Sequence, residues 1–200
     1  MSTDTAKMEE AVETLQDADA SVAEAVEPYR KTPAVKALSA MSEVGDQPQL
    51  RSLCGVLIGA GLVSGNGRLL RAGAKMLLAH ELATAAKNFV KKRVDRTRPR
   101  SRDQAADAHE IRAGRSQAKE ETSFPSGHSA GAASVAQAFA GEFPEYRAAA
   151  YAAAGAVALA QIPRCAHYPT DVGAGIAIGL ASAEAVDAAW RGAEAALSRD

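Results

Sequence analysis

The sequence predicts an all-α protein, a helical bundle of about five or six core helices preceded by an amphipathic N-terminal helix. Three observations predict it. Aromatic residues make up only 4% of the 200 residues while alanine recurs throughout, a balance that suits helices packed closely through small-residue faces. No stretch shows the period-two alternation of a strand, and no internal repeat is visible. Apolar runs of helical length are divided by turn signals, clearest at Ser64-Gly65-Asn66-Gly67.

Residues 5–27 are predicted to form the amphipathic helix, with Val12, Leu15, Val22 and Val26 on one stripe, acids elsewhere, and Pro28 as the stop. Such a helix either packs on the core or lies along a surface. A short helix over 33–43 stops before Gly45, and helices over 49–64 and 67–93 flank the glycine-rich turn. The stretch 97–122 is polar, charged and nearly free of apolar residues. It is long for a structureless connection in a compact domain, so it reads as a functional loop or as partly helical. Three further helices are expected over 127–141, 144–162 and 169–191. The chain thus divides into an acidic helical extension, 1–34, and a main domain, 35–200.

A domain of this length can bury a real core. The formal net charge is −1, which argues against a nucleic-acid partner. The charge is unevenly spread: residues 1–27 carry eight acids against Lys7, and residues 91–102 carry seven bases against Asp95. The basic run fits a solvated face, a cytoplasmic loop flank or a cluster of catalytic cations. Cys54, in an apolar run, reads as a small core residue; Cys165 lies two residues before His167 with nothing that marks it as a nucleophile. The acidic start reads as lacking a secretory signal.

Composition leaves the membrane question open. Nearly charge-free runs at 52–66, 123–141, 148–163 and 172–183 are shorter than the ~20 apolar residues that cross a bilayer. The helix over 68–90 is interrupted by Arg71, Lys75, His80, Glu81 and Lys87, and mean hydropathy is low for a polytopic protein. Yet the Ala/Gly-rich span 172–183 suits tight helix packing in lipid.

Three short motifs carry chemistry. In Pro125-Ser126-Gly127-His128, Ser126 is an N-cap. The helix start behind it offers free N–H groups and a positive dipole end to an anion, and Gly127 lets backbone approach a ligand closely. Ser126 and His128 do not face each other on a helix, so His128 reads as an acid/base group beside the anion rather than as a base for Ser126. In His167-Tyr168-Pro169-Thr170-Asp171, a carboxylate against one imidazole nitrogen would fix the tautomer and free the other nitrogen to attack. Lys91 and Arg98 supply cations for the equatorial oxygens of a phosphoryl group, with Pro99 biasing Arg98 toward an extended exit from its helix. Taken singly, each motif also fits a structural role: an ordinary capped helix, a satisfied histidine, a solvated basic face. Four histidines without paired spacing make a poor metal site.

In this order and spacing, Lys91-(six residues)-Arg98-Pro99, Pro125-Ser126-Gly127-His128 and His167-(three residues)-Asp171 resemble the type 2 phosphatidic acid phosphatase (PAP2) superfamily, over roughly 35–190. That superfamily groups membrane lipid phosphatases with soluble acid phosphatases and vanadium haloperoxidases. The resemblance implies a helical bundle with the active site at one end and a metal-independent phosphatase that needs no cofactor. Its substrate would be a phosphate monoester or diphosphate, of a lipid such as phosphatidate or a prenyl diphosphate, or a small phosphoester. It implies that His167 attacks phosphorus to form a phosphohistidine, that Asp171 orients it, and that His128 protonates the leaving group and then helps activate water. Lys91, Arg98, Ser126 and the Gly127 amide would hold the phosphate.

One position departs from the family pattern. An arginine is expected six residues before the nucleophilic histidine, and Gln161 stands there after Ala160. Arg164, three residues on, shares a helical face with 161 and is expected to reach the same phosphate. The alternatives are a soluble non-specific acid phosphatase and a non-catalytic binder of phosphorylated headgroups, the latter kept open by Gln161; the chain is short for a haloperoxidase. The resemblance places the protein at a membrane, the bacterial inner membrane, with a soluble form and a homo-oligomer both left open. The basic run favours a cytoplasmic site, whereas many bacterial relatives act on the outer side.

Overall fold

A computed structural model describes residues 3–104 and 110–198. Seven α-helices run through them: α1 (Thr3–Val26), α2 (Pro33–Ser42), α3 (Gln47–Ser64), α4 (Gly67–Lys91), α5 (Gly127–Glu142), α6 (Arg147–Leu159) and α7 (Pro169–Leu197). Local chemistry fixes the ends. The Thr32 hydroxyl accepts the Val35 N–H ahead of α2. Gly65 ends α3 at φ 68°, a left-handed conformation that costs glycine nothing, and the Asn66 side chain then caps α4 through Leu69 N–H. Pro169 opens α7 at a position whose N–H is unused anyway.

α5 is the central helix. Ten of its sixteen residues are buried, nearly all of them Ala, Ser or Gly, and it packs against α4, α6 and α7. The α5–α7 approach depends on glycine: a Cβ at Gly179 would stand 2.4 Å from Ala130 O, and one at Gly175 would stand 2.5 Å from Ser126 O. Leu50, Cys54, Met76, Ala79, Val135, Ala138 and Ala183 form the apolar core where α3, α4, α5 and α7 meet, with Cys54 wholly enclosed. The charges that interrupt α4 are accounted for locally. Lys75 is buried between Glu142 (2.7 Å) and Asp187 (2.8 Å), tying α4 to α5 and α7, and Glu81 pairs with Arg51 of α3.

One expectation is corrected and two open readings are resolved. α4 stops at Lys91 rather than 93, because the chain turns out of the helix into a two-residue strand, β1 (Val94–Asp95), paired antiparallel with β2 (Arg112–Ala113). A β pair of two residues is too short to show alternation, so the sequence carries no sign of it. The stretch 97–122 contains short 3-10 turns over Pro99–Gln104 and Lys119–Glu121; residues 105–109 lie outside the described residues. Finally, α1 does not bury its apolar stripe. Val12, Leu15 and Val22 are exposed, while Ala23 and the carboxylate of Asp19 are buried against the bundle. An ion pair, described below, sets the rotation of that helix.

Candidate active site

Backbone pairing brings the motifs together. Beyond β1, Arg96 and Arg98 donate their N–H groups to Glu121 O (2.8 Å) and Glu120 O (2.7 Å), and Ser123 N–H returns to Arg96 O (2.9 Å). This lays the first motif alongside the approach to the second. Ser126 N–H donates to Asp171 O (2.9 Å), fastening the start of α5 to the first turn of α7. After α6 the chain reverses through Cys165, at φ 50°, and Ala166 and His167 both donate N–H to Gln161 O (3.1 and 3.3 Å). That reversal turns His167 toward Arg98.

The result is a cavity of about 290 Å³ at one end of the bundle, lined by Lys91, Arg98, Gly127, His128, Arg164 and His167. Lys87, Arg100 and Lys119 line it too, so six cationic side chains face it against two carboxylates, Glu43 and Asp46. The cations depress one another. Burial, with the charges of Arg98 and Lys87 adding to it, pushes Lys91 down to about 7. Burial and neighbouring Arg100 push Arg98 down to about 10. A dianion entering among them would relieve both, so the cavity is electrostatically suited to an anion.

His167 is buried, with Nε2 3.2 Å from Arg98 Nη1. A guanidinium only donates, so Nε2 must be the lone-pair nitrogen and the proton sits on Nδ1. Nδ1 faces Asp171 Oδ2 at 3.6 Å, an ion-pair distance rather than a hydrogen bond. Burial, opposed by Asp171 and reinforced by Arg98, pushes His167 down to about 4, so the ring is neutral at pH 7 and Nε2 keeps its lone pair. Arg98 is itself locked: Nε donates to Lys119 O (2.7 Å) and Nη1 to Ala166 O (2.9 Å).

His128 stands across the cavity with Nε2 2.8 Å from Asp46 Oδ1. Burial lowers its pKa, and Asp46 pulls the other way by favouring the imidazolium. Arg164 lines the cavity while donating from Nη1 to Ser42 Oγ (2.8 Å), a tether that aims its guanidinium. Gln161 is enclosed and its amide donates to Val157 O (2.8 Å). Two expected site residues sit behind the cavity wall. Ser126 is fully buried, and its Oγ accepts from Ser129 N–H (3.4 Å) and Ser129 Oγ (2.9 Å), as an N-cap. Asp171 reaches the cavity only through His167.

Several residues at the site escape sequence reasoning. Lys87 precedes Lys91 by one helical turn, a spacing that could have flagged it, and its stem lies 3.4 Å from where a Gly127 Cβ would be. Asp46 occupies the N-cap position of α3 without making a capping bond, which leaves it free for His128. Ser123 donates to Asp171 Oδ2, and Arg96 donates from Nη1 to Asp171 Oδ1 (2.7 Å); Arg96 reads in sequence only as one more base in a basic run. Nothing local signals Asp19, whose partner Arg96 lies 77 residues away.

No curated protein gives a significant match to this sequence. Solved structures do share its fold. The transmembrane PAP2-type phosphatidylglycerolphosphate phosphatase from Bacillus subtilis superposes with a TM-score of 0.63 at 24% identity, covering 88% of this chain and 85% of that one. Aquifex aeolicus LpxE superposes with a TM-score of 0.58 at 19% identity, covering 83% and 92%. The sequence model of the PAP2 superfamily matches residues 72–191, a stretch that holds all three motifs and more than half of the chain, and the chain accordingly belongs to the PAP2 superfamily.

Proposed function

We propose that this PAP2 phosphatase removes phosphate from a phosphorylated lipid through a phosphohistidine at His167. The observation that carries the reaction is the shared cavity: both imidazoles line one cationic chamber, with the lone-pair nitrogen of His167 beside Arg98 and His128 beside a carboxylate. His167 Nε2 attacks phosphorus, and the bond from phosphorus to the lipid oxygen breaks. His128, as imidazolium, gives that oxygen its proton. The phosphoimidazole carries positive charge, which Asp171 offsets. His128 then takes a proton from water as the water oxygen attacks phosphorus. The P–N bond breaks, its electron pair returns to Nε2, and phosphate departs. Lys91, Arg98, Arg164 and the Gly127 amide hold the equatorial oxygens throughout, and Ser126 presets that amide by capping α5.

The lipid preference has its own support. An apolar groove of about 390 Å³ runs between α3, α5 and α6, lined by Leu53, Leu57, Val135, Phe139 and Val157 among others, and it shares Gly45 with the cationic cavity. A Cβ at Gly45 would lie 2.4 Å from Val157 Cγ1 and 3.5 Å from His128 Cδ2, so glycine keeps the two spaces joined. α7 is one helix long and apolar enough to cross a membrane, and Leu53, Val56, Leu62, Val63, Leu78, Leu82 and Phe89 are exposed on α3 and α4. A membrane-associated catalytic unit over 35–200, with 1–34 as an extension laid on it, fits these surfaces.

Alkaline-quench trapping tests the proposal. With a ³²P-labelled phosphatidate in detergent, the wild-type protein should retain acid-labile, base-stable label, and His167→Ala should retain none and lose turnover at least 10³-fold, as for a removed nucleophile. Turnover surviving in His167→Ala would overturn the mechanism. Equal kcat/KM for glycerol phosphate and phosphatidate would overturn the lipid assignment and favour a soluble-substrate phosphatase.

A further inference from the structure

The acidic N-terminal helix places one carboxylate where a surface extension has no need of it. Asp19 is 2% exposed, and it meets Arg96, which is 1% exposed and stacked 4.0 Å over the Tyr168 ring. Arg96 Nη2 donates to Asp19 Oδ2 (2.8 Å) while Nη1 donates to Asp171 Oδ1 (2.7 Å) and to Thr170 Oγ1 (2.8 Å). Thr170 N–H, an otherwise free donor in the first turn of α7, donates to Asp19 Oδ1 (3.0 Å), and the Thr170 hydroxyl donates to Asp19 Oδ2. One guanidinium therefore bridges two enclosed carboxylates, one from the far end of the chain and one that faces His167.

We propose that Asp19 is a positioning residue for the phosphatase reaction: by neutralising Arg96 it leaves the charge of Asp171 available to His167. The inference rests on the assignment of His167 as nucleophile and Asp171 as its orienter. Charge counting carries it. A guanidinium bonded to Asp171 cancels much of its charge and, in a dry setting, draws the carboxylate away from the imidazole. Asp19 sets a second carboxylate against Arg96, so the guanidinium draws less on Asp171, and the phosphorylated, positively charged ring stands next to that carboxylate. Asp171 already contacts the ring at 3.6 Å, outside hydrogen-bond range, so its effect on His167 is largely electrostatic and depends on this balance. The ion pair also fixes the rotation of α1, whose Val12, Leu15 and Val22 remain exposed, so stability and turnover are read separately for each variant.

The test uses the protein with its N-terminal helix intact and Asp19→Asn, Arg96→Met and the double variant, each normalised to the amount of folded protein by the amplitude of its thermal transition. Asp19→Asn keeps the shape and one acceptor for the Thr170 N–H, while removing the charge and the second acceptor that Arg96 and the Thr170 hydroxyl share. Its kcat should fall about 10- to 100-fold, the range for a lost electrostatic contact to the transition state, with KM within a factor of about three because the cavity cations are untouched. The charged groups facing the His167 ring are Asp171, Arg98 and Lys91. Losing a negative charge behind them should move the acid limb of kcat/KM to lower pH, whereas a loosened, wetter site would move it up. In the Arg96→Met background the same Asp19→Asn change should cost less than about twofold, since there is no arginine charge left to balance. Wild-type kcat in Asp19→Asn, an upward shift of the acid limb, or equal losses in both backgrounds would each overturn the proposal. Turnover in His167→Ala would instead remove the assignment beneath it, so the two failures are told apart.

Discussion

Lys91 offers the sharpest quantitative test of the cationic cavity. Its ammonium donates to Thr122 O and faces Arg98 and Lys87, and burial with those charges brings it down to about 7. Being a base with a depressed pKa, it is charged below about 7 and loses its charge as pH rises through that value. A bound phosphate dianion favours the charged form, so phosphate holds the proton on and the free enzyme gives it up. At pH 9, two units above, only about 1% of free Lys91 is charged, and phosphate affinity should have dropped about 100-fold, or ~2.7 kcal/mol at 1.36 kcal/mol per unit. The assay is inhibition of hydrolysis by inorganic phosphate from pH 6.5 to 9.5, in wild type and in Lys91→Met. Dividing one inhibition constant by the other cancels the ionisation of phosphate itself and of every other group. The variant should bind phosphate much more weakly at pH 6.5 and converge on wild type at pH 9.5. A ratio that stays constant across this range would refute the charge assignment.

Two further perturbations probe separate parts of the molecule. Arg164, tethered to Ser42 at the cavity wall, should act as a phosphate clamp in place of the arginine that Gln161 displaces; Arg164→Ala should then lower kcat/KM by about 10²-fold, as for one preorganised donor, and unchanged turnover would count against it. Lys75 lies sixteen residues before Lys91 on α4, about 24 Å along the helix from the site, and is buried between Glu142 and Asp187. Lys75→Ala removes the buried cation that joins the two acids, leaving Glu142 to Arg71 (3.3 Å) and Asp187 to Arg191 (3.1 Å), and should lower the stability of the bundle by about 1–2 kcal/mol in denaturant titration, with kcat unchanged under folding conditions; a stability equal to wild type would show that the buried cation contributes nothing.

The helices were legible where period and punctuation agree. Gly65-Asn66 separates α3 from α4 as the turn chemistry requires, and the Ser126 and Pro169 starts fall where capping rules place them, because a cap depends only on neighbours in sequence. The rotation of α1 was not legible. Its hydrophobic stripe is the obvious face to bury, yet Asp19 is what turns inward, since a buried arginine far along the chain outweighs a few exposed valines and leucines. The β1–β2 pair escaped for a similar reason: two residues a side have no pattern, and only the partner strand makes them a strand.

At the site, residue types and spacing by themselves determined that two histidines, a carboxylate and a set of cations suited to phosphoryl transfer were present. The resemblance to the PAP2 pattern marked the departure at Gln161, and helical spacing from that position pointed to Arg164. Only the tertiary structure decided how those groups stand to one another. It put both imidazoles on one cavity, withdrew Ser126 and Asp171 behind its wall, added Lys87 and Asp46 to its lining, and set Asp19 and Arg96 behind Asp171. The physical reason is that electrostatic partners are chosen by distance and burial in space, where residues 77 apart in the chain can be 2.8 Å apart, and no local pattern records that proximity.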